Sequence, residues 1–147
     1  MAQSLNSMKL DVQSLPENIA LARIAVAAFA AQVDMTVDEL EEIKVAVSEA
    51  VSNAIIHGYE NKKKEFIEIE AIRFQEYFQF SVTDYGKGIE NLEQAMQPAY
   101  STDEERMGLG FVFMQSFMDE VKVETKPGKG TKVILIKRLR PLADPPN

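Results

Sequence analysis

Residues 78–88 read FQFSVTDYGKG, and this stretch decides the fold. Phe78, Phe80 and Val82 alternate with Gln79, Ser81 and Thr83, the period-two pattern of a half-buried strand. Asp84 stands where the alternation stops, and Gly86 and Gly88 follow it. A carboxylate at a strand end can accept a hydrogen bond from a ligand's exocyclic amine while glycines turn the chain beneath the ring. Adenine carries such an amine. By itself an aspartate-glycine turn also has a purely local explanation, because both residue types dominate turns.

Upstream, Phe66 to Phe74 is a second β-branched and aromatic run, so the two segments read as a hairpin turning near Gln75 and Glu76. Downstream, Val121 to Thr125 and Thr131 to Lys137 read as strands joined by Pro127-Gly128-Lys129-Gly130. Met8 to Val12 alternates and suits an edge strand. Two helices precede the hairpin. The first is expected to start near Ser14, where Ser14 and Glu17 form a capping-box pattern, and carries Ile19, Val26, Phe29 and Val33. The second has Thr36 as N-cap, Glu39 at the third helical position and Met35 placed to staple onto Leu40. Its stripe is Leu40, Ile43, Val47, Ala50 and Ala54, with Gly58 as the stop. A polar segment, Glu90 to Arg106, leads to a short apolar helix, Phe111 to Asp119. The expected fold class is α/β, a two-layer sandwich with helices on one face of a mostly antiparallel mixed sheet.

At 147 residues the chain holds one domain, with a frayed tail expected over 140–147. It has no cysteine, which removes disulfides and thiolate metal sites and suits a reducing cytoplasm. No apolar run approaches the roughly 18 residues of a membrane span, and the amino terminus lacks a charged-then-apolar signal, so the expected location is cytoplasmic. A net charge of -7 repels phosphate backbones and argues against direct nucleic-acid binding.

Three further segments carry chemistry. Glu49 and Asn53 are four apart on the second helix and project from one face. That face can present a base beside one hard oxygen donor, the few protein ligands that Mg2+ takes alongside nucleotide phosphates. Glu49 has no Lys or Arg at the following i+3 or i+4 position, which weakens a reading as a surface ion pair, although a solvated polar face is the commoner origin of such a pair. Gly108 and Gly110 precede the apolar helix, whose unpaired first-turn amides would suit phosphate oxygens, and Arg106 adds a cation beside them. Ser101 to Glu105 could close over a nucleotide as a lid. Gly128, Gly130 and Thr131 need be no more than a hairpin turn. His57, the only histidine, sits beside Gly58 at a helix end, where capping or packing is the more natural role than metal ligation.

The order of these segments is more specific than any one of them. SEAVSNAIIHGY, DYGKG, RMGLGF and GKGT resemble the N box and the three glycine boxes of the ATPase and kinase superfamily that includes gyrase, histidine kinases and MutL. The resemblance spans roughly Leu10 to Leu139. SEAVSNAIIHGYE and FMDEV are most similar to the serine-kinase and anti-sigma branch, in particular the anti-sigma F family of sporulating bacteria, with the general stress anti-sigma kinases as near relatives.

That resemblance implies a Bergerat-type sandwich binding ATP or ADP with Mg2+ beneath a lid. It carries Glu49 over as general base and Asn53 as magnesium ligand. Asp84 would read adenine with help from Gly86, Gly88 and Thr131, while Arg106, Gly108, Leu109 and Gly110 would lie along the phosphates. It further implies a homodimer that inhibits a sigma factor, with Arg23 on the first helix as a partner contact, and that phosphorylates a serine of an anti-anti-sigma protein. A nucleotide-holding anti-sigma module without catalysis is the alternative. One departure is visible: only Asp103, Glu104 and Glu105 separate Thr102 from Arg106, and Met107 follows it, where the family pattern has a longer lid and a serine.

Overall fold

A computed structural model describes residues 3–97 and 103–140, with the backbone alone described for 103–106. Its strands are β1 (Asn6–Gln13), β2 (Phe66–Arg73), β3 (Tyr77–Asp84), β4 (Glu120–Lys126) and β5 (Gly130–Arg138). They form one sheet in the order β1-β2-β3-β5-β4. Every pairing is antiparallel, so among the described residues the sheet contains no parallel member and is antiparallel throughout rather than mixed. The expected two-layer α/β sandwich is present. The expected tail lies mostly in 141–147, outside the described residues.

The alternation read at 78–83 sets the layering. Phe78, Phe80 and Val82 are almost wholly buried against the helices, while Gln79 and Thr83 are half-buried on the other face. Helix α1 (Asn18–Ala30) contributes Val26 and Phe29, and α2 (Val37–Asn53) contributes Ile43, Val47 and Val51. Phe29 meets Phe78 edge to face, with ring centroids 5.9 Å apart. Each such side chain withdrawn from water stabilises the fold by roughly 1.5–3 kcal/mol before entropic costs.

Thr36 caps α2 as expected: its hydroxyl accepts the Glu39 N–H at 3.1 Å, and the Glu39 carboxylate accepts the Thr36 N–H at 3.1 Å. The Ser14 cap does not form. Helix α1 starts later, at Asn18, and the buried Ser14 hydroxyl instead donates to the Lys62 carbonyl. That long-range bond satisfies a carbonyl in the loop entering β2, so the hydroxyl serves the tertiary structure rather than its own helix.

Helix α2 continues into a π-helical turn, Ala54–Gly58, closed by the Tyr59 N–H on the Ala54 carbonyl at 2.9 Å. Gly58 does not end the helix in a left-handed conformation. Glu60 and Asn61, with φ of 53° and 64°, make that reversal.

The largest departure is after β3. A short helix, α3 (Leu92–Ala95), is capped by the Asn91 side chain accepting the Gln94 N–H at 3.1 Å. Helix α4 (Asp103–Phe117) then begins well before the expected Phe111 and contains Gly108 and Gly110 in its interior. Their amides are therefore not the free first-turn donors that the sequence suggested. Buried contacts of Met107, Phe111 and Met114 favour the helical register over glycine's poor propensity.

Candidate functional site

Strand pairing builds the first half of the site. Asp84 at the end of β3 and Thr131 at the start of β5 are direct cross-strand partners. Asp84 is 5% exposed, and its carboxylate accepts the Gly86 N–H at 2.9 Å. Burial pushes its pKa up from 3.8 to about 6, against backbone hydrogen bonds from Gly86 and Thr131 that lower it.

The glycines permit backbone contact. A Cβ on Gly86 would stand 1.9 Å from the Gly58 carbonyl oxygen, and one on Gly88, whose φ is +72°, would stand 2.1 Å from that of Lys126. The loop after β3 is thus clamped between the π turn and the β4–β5 turn, with the Lys87 N–H on the Gly58 carbonyl at 3.0 Å.

Three residues that the sequence reading did not assign to the site hold this arrangement. Gly58 faces the carboxyl group itself: a Cβ there would lie 2.6 Å from the Asp84 carboxyl carbon. The Tyr59 hydroxyl donates to the Phe66 carbonyl at 2.5 Å and accepts the Tyr85 N–H at 2.8 Å. The Thr125 hydroxyl accepts the Ile89 N–H at 2.9 Å and lies 2.9 Å from the Thr131 hydroxyl. The signal for the first two was their place at the end of SEAVSNAIIHGY, which does not show that Gly58 meets Asp84 or that Tyr59 meets Tyr85, each 26 residues away.

The second half is the α2–α4 contact. Glu49 and Asn53 face α4, and a Cβ on Gly110 would lie 2.9 Å from Glu49 Oε2 and 3.4 Å from Asn53 Nδ2. Glu49 is half-buried, and burial raises its pKa. Among the described residues no hydrogen bond or ion pair is made to its carboxylate, and the buried Asn53 Nδ2 has no hydrogen-bond partner. Such an unengaged amide is where a ligand is expected. Gly108 is buried beside Gly110, while Leu109 is 47% exposed and points away. The Arg106 side chain, Ser101 and Thr102 lie outside the described residues. Arg23 is exposed on α1 and is not among the residues lining the cavity.

The structure therefore unites Asn53, Asp84, Gly88 and Thr131 around one cavity, walled also by Ala50, Val82, Met107 and Phe111, while Glu49 and Gly110 meet beside Asn53 at the α2–α4 contact and are not among the cavity's lining. Its polar groups fit a magnesium nucleotide, with a buried carboxylate for an amine and an amide oxygen for the metal. Its volume does not in this conformation: about 20 Å³ admits little more than a water molecule. His57 lines the same wall from the π turn.

The histidine kinase-like ATPase domain family matches residues 12–137. The chain is 48% identical to the anti-sigma F factor of Clostridium beijerinckii, covering 90% of this chain and 94% of that protein. It is 53% identical to that of a Thermoanaerobacter species, covering 90% and 93% respectively. In structure it is similar to the RsbU and RsbW domains of a Mycobacterium tuberculosis protein, with a TM-score of 0.64 at 20% identity over 90% of this chain and 32% of that one. The histidine kinase domain of an Erythrobacter litoralis blue-light-activated kinase gives a TM-score of 0.56 at 19% identity, covering 83% and 59%. These two likenesses support the fold alone. Domain match and near-full-length similarity agree, and the chain belongs to the histidine kinase-like ATPase domain family, within its anti-sigma F factors.

Proposed function

We propose that the chain is an ATP-dependent protein-serine kinase that also binds and inhibits a sporulation sigma factor. Its reaction would be ATP plus a seryl residue of an anti-anti-sigma partner giving ADP plus phosphoserine. The observation that carries the catalytic reading is Glu49: half-buried, raised in pKa by burial, without a partner among the described residues, and one turn from Asn53.

Glu49 would accept the serine proton as the seryl oxygen attacks the γ-phosphorus and the bond to the ADP oxygen breaks. Asp84 would accept from the adenine amine, with Gly86, Gly88 and Thr131 shaping the floor beneath the ring. Backbone at Gly108, Leu109 and Gly110, with Arg106, would lie along the phosphates once α4 leaves its present register. Mg2+, held by Asn53 Oδ1, would neutralise phosphate charge. With so little covalent chemistry required of the protein, positioning and charge stabilisation would supply most of the rate.

The sigma factor and the anti-anti-sigma substrate are the proposed partners, engaged by a homodimer. Arg23 is offered as an anchor because it is exposed on α1 between exposed Leu21 and Ile24. The test mixes the purified protein with radiolabelled ATP, magnesium and candidate partner proteins. Phosphoserine on a small partner supports the kinase; tight nucleotide and sigma-factor binding without transfer supports a non-catalytic anti-sigma module instead.

A further inference from the structure

The cavity beside Asp84 and Thr131 has a wall in common with a second, outer cleft. The inner space is about 20 Å³, and the outer cleft, reaching Lys87, Asn91 and Gln94, is about 410 Å³. Four residues line both: His57, Gly88, Ile89 and Met107.

Three of these four are fixed by the fold. His57 belongs to the π turn, Gly88 is locked against the Lys126 carbonyl, and Ile89 is tied through its N–H to Thr125. Met107 alone combines an unbranched, adaptable side chain with a backbone placed next to two glycines inside a helix. Helix α4 is also anchored unevenly. At its C-terminal end the buried Lys137 ammonium donates to the Phe117 carbonyl at 2.7 Å and to Glu42 at 2.8 Å. Around Gly108, among the described residues, the helix buries Met107, which is 7% exposed, and Phe111.

We propose that Met107 is an intramolecular gate: its side chain partitions the base cavity from the outer cleft, and it sets nucleotide affinity and association rate by competing for that space. This rests on the reading that the inner cavity takes the adenine base. A binding-competent state populated only in part lowers apparent affinity by its population, so weakening the closed wall tightens binding without adding a contact.

The test is titration calorimetry and stopped-flow binding of ADP in magnesium buffer with the full chain, Met107→Ala and Met107→Leu. Met107→Ala is expected to bind ADP roughly tenfold tighter, through faster association with dissociation little changed. Met107→Leu, which keeps the wall, is expected to remain near the parent. Far-UV circular dichroism verifies folding, and Met107→Gln, similar in shape but costlier to bury, replaces the alanine variant if that fails to fold and is expected to tighten binding likewise. Unchanged or weaker ADP binding by a folded Met107→Ala or Met107→Gln overturns the gate alone. No ADP binding by any form overturns the nucleotide reading itself, and the gate with it.

Discussion

Replacing Asp84 by asparagine should make the protein more stable at neutral pH while weakening nucleotide binding. The carboxylate is 5% exposed and its pKa rises from 3.8 to about 6 through burial. A raised carboxyl contributes stability that is fully present below about pH 3.8 and is lost as pH climbs through about 6, because the folded protein must then hold a desolvated charge. The gap between the two values corresponds to roughly 3 kcal/mol at full ionisation. Asparagine keeps an oxygen for the Gly86 N–H but carries no charge to bury, so most of that cost disappears.

The assay is urea unfolding of parent and Asp84→Asn between about pH 4 and pH 8, read as the difference between the two, so that other carboxylates cancel. The difference should favour the variant increasingly with pH, approaching roughly 2–3 kcal/mol, or about 5–10 °C in Tm for a domain near this size. ADP affinity should fall in the same variant, since an amide does not match the amine-accepting carboxylate. A stability difference that is flat across this pH range would refute the buried-charge argument, whatever happens to ADP binding.

Glu49→Ala should reduce phosphotransfer by roughly 10²–10⁴-fold with nucleotide affinity little changed, checked by single-turnover transfer against equilibrium binding; undiminished transfer would remove Glu49 as base. Gly58→Ala places a methyl group within 2.7 Å of three Asp84 carboxyl atoms, so it should cost about 1–3 kcal/mol by denaturant unfolding and weaken ADP binding together. Gly128→Ala meets no atom within 4 Å but has φ +78°, and should cost about 1–2 kcal/mol with ADP affinity unchanged. Thr36→Ala should lose about 1 kcal/mol of stability through the α2 cap, with no effect on nucleotide binding.

The sheet and the two leading helices were legible because their signals are local. Alternation at Phe78 to Thr83 fixes which face is buried, and Thr36 with Glu39 fixes where α2 begins, through side chains that act within one turn of themselves. Asp84, Gly86 and Gly88 were also readable as a group, because glycines after a strand-ending carboxylate already specify close backbone approach, whereas Thr131 joins them only through its cross-strand pairing with Asp84.

What the sequence by itself determined was therefore the alternation, the α2 cap and the close backbone approach at Gly86 and Gly88. Tertiary structure decided how they are used. It directed the Ser14 hydroxyl to the Lys62 carbonyl, placed Gly58 against Asp84, and brought the Tyr85 N–H to the Tyr59 hydroxyl, all contacts across long sequence separations that no window of residues contains. It also drew Gly108 and Gly110 into the middle of α4, because burying Met107 and Phe111 against the core outweighs the poor helical propensity of two glycines.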